Sequence, residues 1–542
     1  MLRSLWFSAA LSVVLLAVIC LRAEAAPALA AEGGDQAARQ PLSLALPELA
    51  PLEQAPLPGV GGIQWERQPA KLTLPVVNEL RSWRLPRRLV AGSEIALILG
   101  FAGADYWRRQ DGLPPWGLSD WRDRVSTTSW LILDTSPFVT NYSFHTVAGA
   151  SYHLATRTSD LGMLESALWS IGSSVAWEYV VEYRQKADLN DMIFTTPAGL
   201  AAGEFAYSLG RLLQQQGSGR GWDIARWTLG FPQSFNDAVH GEDSPRGTPV
   251  SHRFQVAVGA SGASALATGD GGSDRAHAGL YQVRAAGALA TMDELYAPGR
   301  GWRGFRDGNF TSLDVLVTGG VGGNSGTYVL SDTMLAGWHY SDIAQDVSRG
   351  RTLTLGSSTA VRYQREQFGP WRDRLGMAHF PGLAADGHMW GDVGGHPWRF
   401  RGTARLHPDY GGVHAVSGER WIAEHPDERG WSTVEEQGYY HAYGVSGRLS
   451  ATLEVPWVLV GGELFLGRYQ THRFRDKIRS QITIKQEIAS RFADYGLWLR
   501  AALPAQLFVE MRLDSRHRWE RFEEFDTRAR LRRYGLELGT TF

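Results

Sequence analysis

The nine residues Tyr534-Gly535-Leu536-Glu537-Leu538-Gly539-Thr540-Thr541-Phe542 decide the fold. Tyr534, Leu536, Leu538, Thr540 and Phe542 share one parity, so in an extended strand they line one face. Glu537 and the small residues between them line the other. One face suits an apolar neighbour and the other a wet one.

The same two-residue period runs upstream as far as Ser251. Tyr443, Val445, Gly447, Leu449, Ala451 and Leu453 alternate with Ser446, Arg448, Ser450, Thr452 and Glu454. Trp398, Phe400, Gly402, Ala404 and Leu406 alternate with Arg399, Arg401, Thr403, Arg405 and His407. Leu507, Val509, Met511 and Leu513 alternate with Phe508, Glu510, Arg512 and Asp514. Ile478, Ser480, Ile482, Ile484 and Ile488 alternate with Arg479, Gln481, Thr483, Lys485 and Glu487. Each run is about ten residues, the length of a tilted transmembrane strand. A soluble sandwich also alternates, but the strand ending on Phe542 resembles the assembly signal of outer-membrane barrels. Residues 251–542 therefore read as an antiparallel transmembrane β-barrel of ~12 strands, an even number. The charged inner faces are read as lumen solvation and internal salt bridges rather than a selectivity filter.

Upstream, Arg3, the apolar run Leu11–Leu21 and Ala23-Glu24-Ala25 make a signal peptide over residues 1–25, expected to be cleaved. Cys20, the only cysteine, lies within it. Residues 26–88, rich in Ala, Pro, Leu and Glu, read as a linker, partly disordered. Residues 89–216 read as a helical domain, with apolar helical segments at 89–107, 146–158, 164–186 and 198–216, the last opened by Pro197. Gly199 and Gly203, four apart, allow two helices to approach closely. Residues 217–250 read as a connector. The chain is thus α+β and multidomain. A net charge of −2 gives no reason to expect nucleic acid as a partner. The 62 glycines and 21 tryptophans fit barrel strands with aromatic girdles.

The helical region resembles an uncharacterised family of bacterial outer-membrane proteins, the domain of unknown function 3943 (DUF3943). The residues that carry the resemblance run from about Asp134 to Arg211: Asn141-Tyr142-Ser143-Phe144-His145, Gly149, Tyr152, Arg157, Trp177-Glu178, Asp191, Thr196-Pro197 with Gly199, and Gly203-Glu204. Thr146 stands where the family pattern has proline, and Asn190 where it often has serine. The resemblance implies an outer-membrane location in a Gram-negative cell and no established reaction.

Within these apolar segments stand His145, Glu178, Asp191 and Glu204, with Glu182 one turn after Glu178. A carboxylate in an apolar helix must be paired, hydrogen-bonded or neutral. Two readings follow. In one, the four residues form a catalytic or divalent-metal site, of unknown metal and cofactor, acting on a lipid or glycan ester or phosphate. In the other, they are structural: Glu204 at its helix's positive end, Asp191 capping the helix opened by Pro197, and Glu178 paired with Arg157 or a tyrosine. A second group, His379, His388, Asp392 and His396, reads as a solvated Gly-rich loop.

The function read from the sequence is that of an outer-membrane barrel with its helical domain on the periplasmic side, at or in the barrel mouth as a plug. Its role would lie in transport or envelope integrity. An envelope hydrolase and a scaffold for a periplasmic protein are the alternatives. The expected partners are outer-membrane lipid and the barrel assembly machinery.

Overall fold

A computed structural model describes residues 85–109, 118–215, 219–240, 250–269, 272–292, 295–369, 371–424, 433–478, 481–484, 487–523 and 525–542. The signal-peptide reading, most of the linker, Trp116 and Arg479 lie outside the described residues.

Twelve antiparallel strands close a barrel. They are β3 (Ser251–Gly269), β4 (Gly272–Ala290), β5 (Gly299–Gly319), β6 (Ser325–Ile343), β7 (Gly350–Phe368), β8 (Trp371–Val393), β9 (His396–His414), β10 (Tyr439–Val455), β11 (Val458–Thr471), β14 (Ile488–Ala502), β15 (Leu507–Phe522) and β16 (Phe525–Thr541). Neighbours in sequence pair in turn, and β16 closes on β3. Two shorter pairs stand apart: β1 (Leu131–Ile132) with β2 (Ala187–Asp188), parallel, and β12 (Arg475–Ile478) with β13 (Gln481–Ile484). The run from Ile478 to Ile488 is therefore not a wall strand. Its arms have four residues each, whereas wall strands run from 14 to 23, and it folds back on itself in the β11–β14 connection.

The terminal strand seals the wall. Phe542 and Phe254 exchange both main-chain hydrogen bonds, at 2.8 and 3.0 Å, and their rings stack 5.8 Å apart. The chain thus enters and leaves the barrel at one end, here the near end. Connections there span at most eight residues, and only two between Val455 and Val458 or Val393 and His396. The far end carries the long excursions 415–438 and 472–487, the first containing α8 (Gly418–Glu424) and α9 (Thr433–Gln437).

The charged faces point into the lumen. Strands far apart in the wall meet there, which only inward side chains can do. Glu366 on β7 accepts from Arg516 on β15 and, at 2.9 Å, from Arg533 on β16. Asp332 on β6 accepts from Arg405 on β9 at 3.0 Å and Arg448 on β10 at 2.5 Å. Arg362 on β7 meets Asp494 on β14, and Arg518 on β15 meets Asp373 on β8 at 3.0 Å. Toward the far end, Leu375, Met377, Tyr440, Phe465, Phe492 and Phe522 continue the filling, with Trp421 of α8 and Val434 of α9 over them. Two lumen cavities measure about 20 and about 40 Å³, room for a few waters. The opposite parity is apolar and exposed: Val445, Leu449 and Leu453 on β10, Leu497 and Leu499 on β14, Leu536 and Leu538 on β16.

The helices precede the barrel. They are α1 (Leu85–Arg109), α2 (Leu118–Ser126), α3 (His145–Arg157, entered through a π-turn, Thr140–Phe144), α4 (Met163–Ala176, left through a π-turn, Trp177–Val181), α5 (Leu189–Gln215), α6 (Arg220–Thr228) and α7 (Phe231–His240). Helix α5 starts eight residues before Pro197, so this proline lies inside the helix and does not open it. The stretch expected as a connector holds α6 and α7, which pack on the same unit: Gln214 bonds Ser234 at 2.8 Å, and Asn236 bonds Thr158 at 2.8 Å and Glu94 of α1 at 3.2 Å.

The expected place of these helices, at or in the mouth, is corrected by parity. They pack on the outer wall. Ser331, Thr333, Val361, Tyr363, Ala378, Tyr410 and Tyr439 all belong to the outward faces, and these are the residues that meet Phe138, Tyr142, Phe194, Ala198 and Ala201. Ser331 and Thr333 donate to the Ala201 carbonyl at 2.9 and 3.3 Å. The lumen is already full of its own charges, and apolar helices suit apolar strand faces. Two outward glycines shape the dock. A Cβ on Gly376 or Gly412 would fall 2.5 or 2.1 Å from the Tyr142 side chain, so the ring lies in a dent two strands wide. Its hydroxyl donates to His441 Nδ1 at 2.7 Å, and His441 Nε2 donates to the Asp134 carbonyl at 2.7 Å. Within the unit, α3 and α5 touch backbone to backbone, with the Gly149 Cα 2.5 Å from where a Gly199 Cβ would stand. Gly203 leaves room for His153 in the same way.

Two outcomes test this architecture. Deleting Phe542 should reduce the heat-modifiable, folded form of the barrel in membrane fractions, and unchanged assembly would show that the β16–β3 seam closes without it. Gly412→Ala should loosen the helices from the wall, at about 1–3 kcal/mol of local strain. Limited proteolysis should then cut within residues 118–240 faster while the barrel stays intact. Equal cutting rates would place the helices elsewhere.

Candidate functional site

The four candidate residues fall into two separate groups. Glu204 belongs to a closed charge cluster midway along α5. Its carboxylate accepts from Arg157 Nε and Nη2 and from His153 Nε2, each at 2.9 Å, and its side chain is 1% exposed. The barrel completes the cluster. At a bulge in β5, Asp307 and Gly308 take positive φ values of 68° and 67°. Arg157 donates to the Asp307 carbonyl at 3.1 Å, and Asp307 Oδ1 accepts from Met163 N at 2.8 Å, capping α4. A Cβ on Gly308 would stand 2.5 Å from Glu204 Cγ, so only glycine fits. The Arg157 charge and the three N–H donors offset the cost of burying the Glu204 carboxylate. Arg157, expected beside Glu178, is committed here. Glu204 is thus held in a buried ion pair with Arg157.

The second group lies at the far end, where β1 and β2 pair. Register Ile132↔Asp188 brings the α2–α3 connection beside the α4–α5 connection. Glu178 hangs from the π-turn after α4, Glu182 follows it, Asp188 ends β2, Asp191 lies in the first turn of α5, and Asp134 follows β1. Carboxylate oxygens of Asp134, Asp188 and Asp191 lie within 4.8 Å of one another, as do those of Glu178, Glu182 and Asp188. Glu178 Oε2 accepts from Asp188 N at 2.7 Å, whereas its Oε1 is buried without a hydrogen-bond partner. Asn190 bridges the set, donating to Asp191 Oδ1 at 2.6 Å and accepting from Asp134 N at 2.7 Å. His145 Nε2 stands 3.3 Å from Asp191 Oδ2, and Nδ1 is 3.2 Å from Thr195 Oγ1. Trp177 Nε1 donates to Glu182 at 2.9 Å.

The electrostatics follow from crowding. Burial, then the neighbouring carboxylates, push Glu178 and Asp191 well above the usual carboxylate range. Burial pushes His145 down to about 4, against the opposing charge of Asp134. The buried Arg124 guanidinium gives its donors to main-chain carbonyls, Tyr183 at 3.2 Å, Glu182 at 3.3 Å and Glu178. Such a set offers a neutral imidazole beside protonated carboxyls for proton transfer, or several oxygens for a hard cation.

Sequence reasoning found Glu178, Asp191 and His145 but not Asp134 or Asp188. Their signal is a two-residue parallel pairing across more than fifty positions, which no local pattern carries. The second histidine group does not assemble. His379 lies in β8 and meets Asp409 at 2.6 Å and Ser446 at 3.2 Å, His388 packs on Tyr296 and Trp390, and Asp392 caps Gly395 N at 2.7 Å. The stretch expected as a loop is wall strand on both sides of a tight turn.

Residues 130–231 match a domain of unknown function, DUF3943, which spans both carboxylate groups. No curated protein matches the sequence. Among solved structures, the translocator domain of the autotransporter NalP from Neisseria meningitidis is 9% identical, covering 53% of this chain and 88% of its own, with a TM-score of 0.18. The transport unit of the autotransporter AIDA-I from Escherichia coli is 10% identical over 53% and 89%, at 0.21. The P. putida toluene transporter TodX is 9% identical over 54% and 90%, at 0.19. Likeness this slight carries no argument.

Glu204→Gln should leave Arg157 buried with a weakened partner and cost about 3–5 kcal/mol. Thermal unfolding of the helical unit should report this loss as a lowered midpoint. A variant as stable as wild type would refute the pairing.

Proposed function

We propose that this DUF3943 chain is an outer-membrane barrel that does not conduct, and that it serves the envelope through the helical unit held against its lipid-facing wall. One observation carries the reading: the lumen is braced across by ion pairs, while the helices sit outside it and present a second apolar surface. On α4, Leu164, Leu168, Ile171 and Val175 form an exposed stripe, continued by Leu97 and Phe101 of α1. Helix α1 is long and apolar enough to cross a bilayer over Arg87–Arg108. At 1.5 Å per residue this span is about 33 Å, against a hydrocarbon core of about 30 Å. Its central acid, Glu94, turns inward to Asn236. These faces continue the apolar belt of the barrel, and lipid is the neighbour that suits both.

We read the near end as periplasmic and the far end, which carries the two long excursions, as external. On this reading the five-carboxylate group lies toward the cell surface, opposite to the periplasmic placement expected from the sequence. The role belongs to envelope integrity rather than to solute passage through the lumen.

Two measurements test the reading. The purified protein in planar bilayers should give no steady conductance, and porin-sized openings would overturn it. In single-cysteine variants lacking Cys20, a membrane-impermeant maleimide should label Val321→Cys on intact cells and label Leu168→Cys only after detergent. Equal labelling of the two would place the α4 stripe in water.

A further inference from the structure

We propose that the far-end carboxylates of the helical unit form a binding site for hard divalent cations of the calcium class. The proposal stands on side-chain geometry and does not depend on where the barrel resides.

Five carboxylates, from Asp134, Glu178, Glu182, Asp188 and Asp191, converge from three stretches of chain, at 134, 178–182 and 188–191. They form two groups of three that share Asp188. Within each group the oxygens lie within 4.8 Å of one another. Two oxygens on opposite sides of a calcium ion stand about 4.6–5.2 Å apart, twice the usual bond length. The groups therefore have the breadth of a coordination shell before any ion enters.

The second observation is Glu178 itself. Its side chain is 1% exposed, one oxygen is held by Asp188 N, and the other, Oε1, is buried beside the group with no hydrogen-bond partner. A buried acceptor left open is costly unless something fills the position. Glu204 shows what a satisfied carboxylate in the same unit looks like, with three N–H donors at 2.9 Å. Glu178 has one, and the nearby Arg124 spends its donors on carbonyl oxygens.

The donor set selects the ion class. It is all oxygen apart from the His145 ring at its rim, which suits hard cations and not zinc or copper. The oxygens come from flexible carboxylates in an irregular array, which calcium accepts and magnesium, needing near-ideal octahedral geometry, does not. Asn190, holding Asp191 Oδ1 and Asp134 N, fixes two ligands relative to each other as an outer partner does in built sites. Asp134 and Glu182 are half-buried and give the ion a way in.

Trp177 supplies the readout. Its indole donates to Glu182, so a terbium ion in the calcium position stands beside a sensitiser. Full-length protein in detergent, stripped with chelator, should give tryptophan-sensitised terbium luminescence that calcium displaces and that excess magnesium displaces at least tenfold less effectively. Asp188→Asn should weaken terbium binding at least tenfold, since Asp188 belongs to both groups. Trp177→Phe should lose most of the luminescence, and calorimetry on wild type should show the calcium binding directly. That variant locates the ion even if Asp188→Asn does not fold. No calcium-displaceable luminescence in folded wild type, or full luminescence in Trp177→Phe, overturns the proposal. So does unchanged binding in a folded Asp188→Asn.

Discussion

The pairing of charges across the lumen governs the rest of this molecule. Glu366 between Arg516 and Arg533, and Asp332 between Arg405 and Arg448, tie opposite walls together. A charge removed from water needs a close partner, and breaking one such pair strands the other member. The lumen therefore cannot be emptied to receive a plug without exposing a chain of unpaired groups. Strand parity does the complementary work between the bulges, turning outward the residues that alternate with the lumen charges. A barrel filled in this way offers a helical unit one place to bind, the outer wall.

That placement imposes its own rule on the helices. Polar groups among them must be satisfied from within the layer or from the wall. The wall supplies some of these partners: Ser331 and Thr333 for the Ala201 carbonyl, His441 for Tyr142, and Asp307 for the start of α4. Close packing does the rest. Gly149 against Gly199, and Gly376 and Gly412 against Tyr142, bring surfaces together where a single methyl group would hold them apart.

Much of the barrel was legible in the sequence because alternation is local. Tyr443 to Leu453 and Leu507 to Leu513 announce their faces residue by residue, and the closing strand through Phe542 does the same. The run from Ile478 to Ile488 alternates just as well and is not wall, because alternation reports a strand and not its partner. Placement of the helices was misread for a related reason. The apolar character of α1 and α4 says that they need cover but not from which side. The site was half legible: buried acids in apolar helices stand out, so Glu178, Asp191 and Glu204 were visible. That Glu204 has its own arginine while Glu178 gathers Asp188 and Asp134 depends on the β1–β2 pairing and the β5 bulge, which exist only in three dimensions.

The bulge at Asp307 and Gly308 fixes an order of events. The helices are synthesised before the barrel, yet α4 takes its cap from β5, and the Arg157–Glu204 pair closes against the same loop. The first half of the chain thus lacks part of its own framework until the second half has formed. Synthesis runs from helices to barrel, whereas completion of structure runs from barrel to helices. During the interval the helices stand without the wall residues that complete them. The time spent waiting is set by how fast the wall closes.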